Sequence, residues 1–375
     1  MSGKRFNVAV IGAGIAKRHL EAFTRLHNLF DVVALCSLDT ARGRDLCKQF
    51  GIAQFTSEFA PLLARKDIDV IDICTPPSLH FEMSNQALAR GFHVICEKPL
   101  VGSLAEIDAM TEMLEKTNRR LMPIFQYRYG KGVQKLKHLI GVGLTGRPIL
   151  TTIETHWWRG SDYYAVPWRG KWKTELGGGL LNHAIHAHDI LTYLLGDIVQ
   201  VYAATSTLVN PVDTEDTAAL TVHMANGSLA ALSMTLGSRK QISRLRFCFK
   251  NVVVEGTLEP STITRDPWTF VAGDPYHQRR IDEALAEAPD CDEGYARQFE
   301  LFHEALVTES EMPVTLTDAR RSLELATAAY HSSRSKISVG LPIGSDHPLY
   351  RGWFPPDTRA ARSVERRARL SAAGP

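Results

Sequence analysis

Short apolar runs alternate with segments of helical spacing through the first third of the chain. Near-continuous apolar runs of this kind are typical of parallel strands that helices cover on both faces. Because strand–helix–strand crossovers are right-handed, the alternation predicts a doubly wound Rossmann domain over residues 1–126. The predicted strands are 6–11, 31–36, 68–74, 93–96 and 121–125, and the first two predicted helices are 16–29 and 40–50.

The pattern changes after about residue 145, where strand candidates follow one another without helices between them. Sequential strands joined by turns predict a large, mostly antiparallel open sheet. Asn226-Gly227, between two of these candidates, is a hairpin signal. The strand candidates are 149–158, 199–208, 218–224, 228–236, 245–249 and 252–255.

Helical spacing returns in residues 294–308 and 316–333, and Thr317-Asp318 is the expected cap of the second of these helices. The fold class is therefore α/β, with a second α/β domain over residues 127–356. Residues 357–375 are rich in Arg and Ala and are predicted to form a basic, mobile tail.

Composition places the chain among ordinary globular proteins, since 44% of its 375 residues are hydrophobic and 22% are charged. A formal charge of +2 gives no electrostatic case for binding nucleic acid. No apolar run reaches the roughly 18 residues of a membrane span, and the N-terminus lacks the features of a signal peptide. The six cysteines form no C-x-x-C pair, which predicts reduced thiols and a cytoplasmic protein.

A glycine turn follows the first predicted strand and opens the first predicted helix. Gly12 and Gly14 permit a tight turn and let a pyrophosphate approach the N–H groups at the start of the helix, next to Ile15. Ala16 takes the place of the third glycine one residue early, so the turn is shorter than the usual fingerprint. Its position at the start of the strand–helix series indicates dinucleotide binding.

The end of the second predicted strand gives divided evidence on the choice between NAD and NADP. A carboxylate at this point would bind the ribose hydroxyls of NAD and repel the 2′-phosphate of NADP. Ser37 occupies the expected position and Asp39 lies two residues further on, while Arg42 and Arg44 follow. The cofactor is therefore predicted as NAD or NADP.

Three further motifs carry a family resemblance. Thr75-Pro76-Pro77-Ser78-Leu79-His80 and Glu97-Lys98-Pro99-Leu100 each follow a predicted strand, and a glycine-rich motif runs from Gly177 to Asp189 with the pattern G-G-G-L-L-N-H-A-I-H-A-H-D. In this order the set resembles the Gfo/Idh/MocA oxidoreductases, and the resemblance extends from residue 5 to about residue 356. It implies a Rossmann domain followed by a domain that binds substrate and oligomerises.

The resemblance also implies a catalytic set. The lysine of the E-K-P motif, here Lys98, would lie beside the nicotinamide and the substrate, where an ammonium can stabilise developing alkoxide charge. Pro99 is expected to follow a cis bond that fixes the direction of Lys98. His186 would act as general base or acid. The family's usual aspartate, four residues earlier on one helical face, is replaced by Asn182, which cannot ionise and is expected to position the substrate or the carboxamide.

Other residues are assigned to the two ligands by the same resemblance. The spacing of His183, His186, His188 and Asp189 scatters them around a helix, so no metal is predicted, and Asp189 is expected to orient the His186 ring. The aromatic stretch 157–172 suits either stacking on sugar or packing against a neighbouring subunit. The predicted cofactor set is Gly12, Gly14, Ile15, Ala16, Ser37, Asp39, Arg42, Thr75, Pro76, His80, Glu97 and Lys98, and the predicted substrate set is Tyr127, Arg128, Trp158, Arg169, Asn182, His183 and His186.

The resulting prediction is an NAD(P)-dependent oxidoreductase that acts on a secondary hydroxyl or ketone of a sugar, sugar derivative or polyol. Two alternatives share the scaffold: a glycosidase that works by transient oxidation with bound NAD, and a non-catalytic dinucleotide-binding sensor. The predicted partners are a small sugar or polyol and further copies of the chain, as a dimer or tetramer through the C-terminal sheet. Nucleic acid and membrane are not expected partners.

Overall fold

The computed structural model describes residues 4–260, 262–288 and 292–354. A six-stranded parallel sheet forms the first third of the chain. All pairings in this sheet are parallel and its strand order places the first strand at the centre, which confirms the doubly wound domain. In spatial order the strands are β3 (Gln54–Thr56), β2 (Phe30–Cys36), β1 (Phe6–Ile11), β4 (Val70–Ile73), β5 (His93–Cys96) and β6 (Leu121–Pro123).

Helices cover both faces of this sheet. The first helix ends earlier than predicted because the chain turns after Leu26, whose carbonyl accepts from Leu29 and Phe30 N–H groups at the start of β2. The strand β3 was not predicted, since its three residues are too short and too polar for an apolar signal. The helices are α1 (Ala16–Arg25), α2 (Thr40–Phe50), α3 (His80–Ala89) and α4 (Leu104–Thr117).

The second sheet has eight strands and is antiparallel except where β10 pairs with β7, which confirms the mostly antiparallel open sheet. Gly227 has a φ of +84° in the predicted hairpin between β9 and β10. In spatial order the strands are β13 (Thr269–Ala272), β12 (Val252–Glu255), β11 (Gly237–Phe249), β7 (Pro148–Trp158), β10 (Leu229–Thr235), β9 (Thr217–Met224), β8 (Ile198–Ser206) and β14 (Val339–Gly340).

Helices pack on one face of the second sheet. Along β8, β9 and β10, buried residues that face these helices alternate with residues that are exposed on the other face. The predicted cap of the last helix is wrong by two residues: Thr315 is the N-cap and forms a reciprocal capping box with Asp318. The helices are α5 (Lys131–Gly141), α6 (Ser161–Tyr164), α7 (Trp172–Glu175), α8 (Gly179–Asn182), α9 (Ile185–Leu195), α10 (Pro275–Ala286), α11 (Gly294–Thr308) and α12 (Leu316–Ser335).

The helix α11 returns from the second half of the chain to pack on the first sheet. Phe299 stacks on Phe23 of α1 with ring centroids 4.6 Å apart, and His303 hydrogen-bonds to the Lys4 carbonyl. These contacts hold α1 and the segment before β1 against α11, and a hydrogen bond from the Tyr295 hydroxyl of α11 to Glu97 joins the same helix to the carboxyl end of β5, where the candidate site forms.

Among the described residues, no helix is long and apolar enough to cross a membrane. The cysteines that the structure describes are free, and Cys36, Cys47, Cys74 and Cys96 are buried, as predicted. Cys291 and the predicted tail 357–375 lie outside the described residues.

Candidate active site

The two glycines of the turn have different surroundings: Gly12 is packed against the protein, and Gly14 faces open space that a ligand can fill. A Cβ added to Gly12, which has a φ of +104°, would lie 2.5 Å from the Cys74 carbonyl oxygen, so only glycine fits between β1 and the end of β4. A Cβ added to Gly14 meets no protein atom within 4 Å. Ile15 precedes α1 without a side-chain cap, so no side chain occupies the N–H groups of the first turn of α1, where an anion would bind. The turn therefore fits a pyrophosphate.

Ser37 and Asp39, the two polar residues that bear on the choice between NAD and NADP, lie at the end of β2. Asp39 caps α2 by accepting from the Arg42 N–H at 3.1 Å, and Ser37 Oγ accepts from the Asp39 N–H. The Arg42 guanidinium donates to the Gly14 carbonyl at 2.7 Å. Arg42 is thus tied to the glycine turn, whereas the exposed Asp39 carboxylate stands at the strand end.

The T-P-P-S-L-H motif is held to the E-K-P motif by its histidine. The buried His80 ring hydrogen-bonds to the Thr75 and Pro99 carbonyls, each at 2.8 Å. Both ring nitrogens are therefore engaged inside the protein, and we remove His80 from the cofactor set. Thr75 and Pro76 stay at the carboxyl end of β4, beside Gly12.

A buried histidine that the sequence analysis missed lies beneath the E-K-P motif. His19 on α1 is fully buried, with Nδ1 2.9 Å from Asp72 Oδ2 and Nε2 3.0 Å from Glu97 Oε1. Burial opposes charge on the imidazole, but the Asp72 carboxylate raises the pKa of His19 well above its ordinary value. The only sequence signal was a lone histidine on an apolar helix face, which is more often a core residue.

Both carboxylate oxygens of Glu97 are hydrogen-bonded to other residues of the protein. Oε1 also accepts from the Tyr295 hydroxyl at 2.9 Å, and Oε2 accepts from the Lys98 N–H at 3.0 Å. Although burial raises it, the hydrogen bond from His19 brings the pKa of Glu97 down to about 2. Glu97 therefore supports the main chain of Lys98, and we remove it from the set of residues that contact cofactor.

Lys98 joins the two halves of the site. Its Nζ donates to the main-chain oxygen of Asn182 at 2.8 Å, which brings the E-K-P motif and the glycine-rich motif together. The Lys98–Pro99 bond is cis, as predicted. Burial lowers the pKa of Lys98 even though the Glu97 and Glu175 carboxyls act in the opposite direction.

The expectation that Asn182 and His186 share one helical face is wrong. The chain breaks between α8, which ends at Asn182, and α9, which begins at Ile185. The Asn182 amide donates to the carbonyls of Glu175 and Gly177 at 3.1 and 2.8 Å, so its side chain ties down the glycine-rich segment. Asn182 acts on Lys98 through its main-chain oxygen.

His186 is buried beside aromatic rings at the site. Its imidazole stacks on the Tyr127 ring at 4.5 Å and 20°, and its Nδ1 has no hydrogen-bond partner among the described residues. Burial and the nearby Lys98 charge lower the pKa of His186 to about 3. The ring is therefore neutral at physiological pH and offers a lone pair to a ligand.

Arg128 and Asp189 pair with each other rather than with the expected partners. The Arg128 guanidinium binds Asp189 through two hydrogen bonds of 2.6 and 2.7 Å, and Asp318 lies 3.0 Å away. Both side chains of the Arg128–Asp189 pair are buried. The expectation that Asp189 orients His186 is wrong, and we remove Arg128 from the substrate set because its guanidinium is buried against the Asp189 and Asp318 carboxylates.

The aromatic stretch contributes rings from the inner side of its strand. Trp157 packs edge-on against His183 at 5.6 Å, and Tyr163 lies 5.4 Å from the same imidazole. Trp158, which points to the opposite face of β7, stacks with exposed Arg239 instead. Trp157 and Tyr163 were missed as individual site residues because only the density of aromatic residues was visible in the sequence.

Two buried carboxyls lie beneath the glycine-rich segment. Glu215 accepts from the N–H groups of Gly178 and Leu180 and from the Tyr330 hydroxyl. Glu175 accepts from the Gly170 N–H at 2.5 Å and lies near Lys98. Burial raises the pKa of each carboxyl to about 7.

The side chains of His19, Asp72 and Cys74 form a cluster whose ligand-type atoms lie within 4.8 Å of one another. Both ring nitrogens of His19 are already hydrogen-bonded, to Asp72 and to Glu97, so neither is left to bind a metal. Burial raises the pKa of the Cys74 thiol to about 12. This cluster fits the hydrogen-bonded support of the E-K-P motif.

A parallel sheet with a glycine turn open to pyrophosphate, facing a lysine and a neutral histidine, defines a dinucleotide-dependent oxidoreductase. Two family models match the chain: the oxidoreductase family with NAD-binding Rossmann fold over residues 6–125, and the GFO/IDH/MocA C-terminal domain over residues 133–255. The chain belongs to the Gfo/Idh/MocA oxidoreductase family and carries its NAD-binding domain.

Similar proteins span nearly the full chain. An uncharacterized oxidoreductase, YrbE of Bacillus subtilis (strain 168), is 27% identical over 92% of this chain and 98% of its own length. Levoglucosan dehydrogenase of Pseudarthrobacter phenanthrenivorans is 27% identical over 65% of this chain and 71% of its own. The WlbA dehydrogenase from Bordetella pertussis, solved with NADH and UDP-GlcNAcA, has a TM-score of 0.80 and 25% identity, covering 92% of this chain and 100% of that one.

Proposed function

We propose that this protein is an NAD-dependent dehydrogenase that oxidises a secondary hydroxyl of a sugar or sugar derivative, or reduces the matching ketone. The observation that carries the proposal is the junction of Lys98 with the glycine-rich segment, since its ammonium donates to the Asn182 carbonyl at 2.8 Å. This contact puts Lys98 in the same small region as His186. The dehydrogenases among the relatives act on levoglucosan, D-apiose and D-glucosides, by their names.

The chain's own residues divide the chemistry of such an oxidation. A nicotinamide dinucleotide, when bound, supplies hydride acceptance. Lys98 donates a hydrogen bond to the reacting oxygen and stabilises its negative charge as the C–H bond breaks. The His186 imidazole, whose Nδ1 has no hydrogen-bond partner among the described residues, accepts the hydroxyl proton. The Tyr127 ring fixes the plane of the imidazole by stacking.

We propose NAD rather than NADP as the preferred cofactor. The Asp39 carboxylate is exposed at the end of β2, where it would repel a 2′-phosphate. Of the two guanidinium groups that could offset this charge, that of Arg42 already donates to the Gly14 carbonyl, and that of Arg44 lies over the Phe55 ring, 5.0 Å from its centroid. The solved relatives with NADH support the same choice.

The proposal extends to location and assembly. Cytoplasmic location is supported by the free, mostly buried thiols. Assembly as a dimer or tetramer is supported by the uncovered face of the second sheet, where paired strands expose apolar side chains to solvent. Examples are Leu150, Tyr202, Leu229 and Val271.

A panel of neutral and acidic sugars and polyols, tested with NAD and with NADP, checks the reaction by the absorbance of the reduced nicotinamide. In the active pair, Lys98→Ala and His186→Ala should each lower kcat about 100-fold or more, with cofactor affinity little changed. Lys116→Ala, an exposed lysine on α4, is the matched control. Near-normal turnover in both active-site variants would contradict the proposal, and release of an aglycone without net cofactor reduction would favour the glycosidase alternative.

A further inference from the structure

Two arginines of the aromatic stretch share one ring at the edge of the site. The Arg169 guanidinium carbon lies 3.6 Å from the centroid of the Tyr163 ring, and that of Arg159 lies 5.3 Å from it. Tyr163 in turn packs against His183, three residues before His186. The Tyr163 ring therefore lies between the two guanidinium groups and the helix segment that carries His183 and His186.

Neither arginine is neutralised within the described part of the chain. Arg159 donates only to neutral acceptors, the Trp158 carbonyl and the Gln241 amide oxygen. Arg169 Nε is buried and has no hydrogen-bond partner among the described residues. The Nδ1 atom of His183, which packs against the same Tyr163 ring, is also buried and without a partner there. Buried polar atoms without hydrogen-bond partners are costly, so the convergence of these two on one place indicates that a ligand completes them.

The nearest carboxyl does not balance this charge. Glu175 is 2% exposed and is engaged by the Gly170 N–H. Burial raises its pKa to about 7 although Arg169 and Lys98 oppose the shift. Burial also lowers the pKa of Arg159 and of Arg169 from the ordinary arginine value, although the Glu175 carboxyl acts in the opposite direction on Arg169. With Lys98 added, the site carries an excess of positive charge.

We infer that the substrate is an anionic sugar, whose carboxylate or phosphate oxygens are bound by Arg159 and Arg169. The planar guanidinium groups suit paired oxygens of this kind, and stacking on Tyr163 holds Arg169 in place before the ligand arrives. The inference rests on the proposed function, because it specifies the substrate class of the same site.

Calorimetric titration of the NADH-loaded protein with matched probes tests the inference. D-Glucuronate and D-galacturonate are compared with their neutral amides, and glucose 6-phosphate is compared with glucose. At least one anion should bind about tenfold or more tightly than its neutral counterpart, since charge-assisted hydrogen bonds are roughly twice as strong as neutral ones. The carboxylate and phosphate pairs show which oxyanion the site takes.

Arg159→Gln and Arg169→Gln should each remove most of that advantage while leaving the affinity for the neutral probe nearly unchanged. Arg239→Gln is the control, because this arginine stacks on Trp158 at the same 3.6 Å but is exposed. Equal binding of anionic and neutral probes by the wild type, or binding of none, would overturn the inference, as would equal loss for both probes in the variants. Selective anion binding without any cofactor reduction would leave the inference standing and contradict the proposed function.

Discussion

Replacing His19 tests whether the buried ion cluster beneath Lys98 stabilises the protein. The imidazole bridges two carboxylates, those of Asp72 and Glu97, with no exposure of its own. The pKa of Glu97 is about 2 against an ordinary 4.5, a difference that corresponds to about 3 kcal/mol at roughly 1.4 kcal/mol per pKa unit. His19→Gln should therefore lower the free energy of unfolding at neutral pH by about 3–5 kcal/mol, the range for breaking a buried ion pair.

The pH dependence gives the sign of each contribution. The depressed pKa of Glu97 means that its contribution is present above pH 4.5 and is lost as the pH falls toward 2. The raised pKa of His19 means that its contribution is present below pH 6.5 and is lost as the pH rises through the higher value in the folded protein. The difference between wild type and His19→Gln should be largest between about pH 4.5 and pH 6.5, and it should narrow both in acid and as the pH rises above that range.

Urea unfolding followed by circular dichroism at several pH values measures these differences. His27→Gln is the control, because His27 is exposed just after α1 and its loss should change stability by less than about 0.5 kcal/mol. Tyr295→Phe removes one hydrogen bond to Glu97 and should cost about 1 kcal/mol, which keeps the test readable if His19→Gln does not fold. A loss for His19→Gln no larger than that of His27→Gln would refute the reasoning.

Two further predictions concern the cofactor. Gly14→Val should abolish NADH binding in a calorimetric titration while the thermal midpoint stays close to that of the wild type, because the added side chain meets no protein atom and occupies the pyrophosphate position; unchanged affinity would contradict the assignment. Asp39→Ala should narrow the gap between the dissociation constants of NAD and NADP by weakening the repulsion of the 2′-phosphate, at a small cost in stability from the lost cap of α2; an unchanged ratio would show that Asp39 does not set the preference.

Local patterns predicted the elements whose apolar runs end in turn residues. The strands β5 and β12 and the helix α11 have the predicted bounds. Their buried faces produce a regular pattern of apolar residues within a short stretch of sequence, and that pattern can be recognised without knowledge of the fold. The first half of β11 was missed because residues 238–241 are polar and mostly exposed, so they carry no apolar pattern that would predict a strand.

The identity of buried polar partners could not be predicted in the same way. Arg128 stands between two tyrosines and resembles a ligand-binding side chain in sequence, yet its guanidinium binds Asp189 on α9. His19 bonds to Asp72 and Glu97, which belong to two different strand ends. Such pairs depend on which elements become neighbours in space, and a single sequence contains no local signal for that choice.

The glycine-rich motif shows why correct residues can be given the wrong role. The four-residue spacing of Asn182 and His186 predicted a shared helical face, but the helix is interrupted between them, and the Asn182 amide donates to main-chain carbonyls of the preceding segment. The main-chain oxygen of Asn182, rather than a side-chain carboxylate, accepts the hydrogen bond that Lys98 Nζ donates. An asparagine can donate to those carbonyls and an ionised aspartate cannot, so the residue that replaces the family's usual acid here also fixes the segment that positions Lys98.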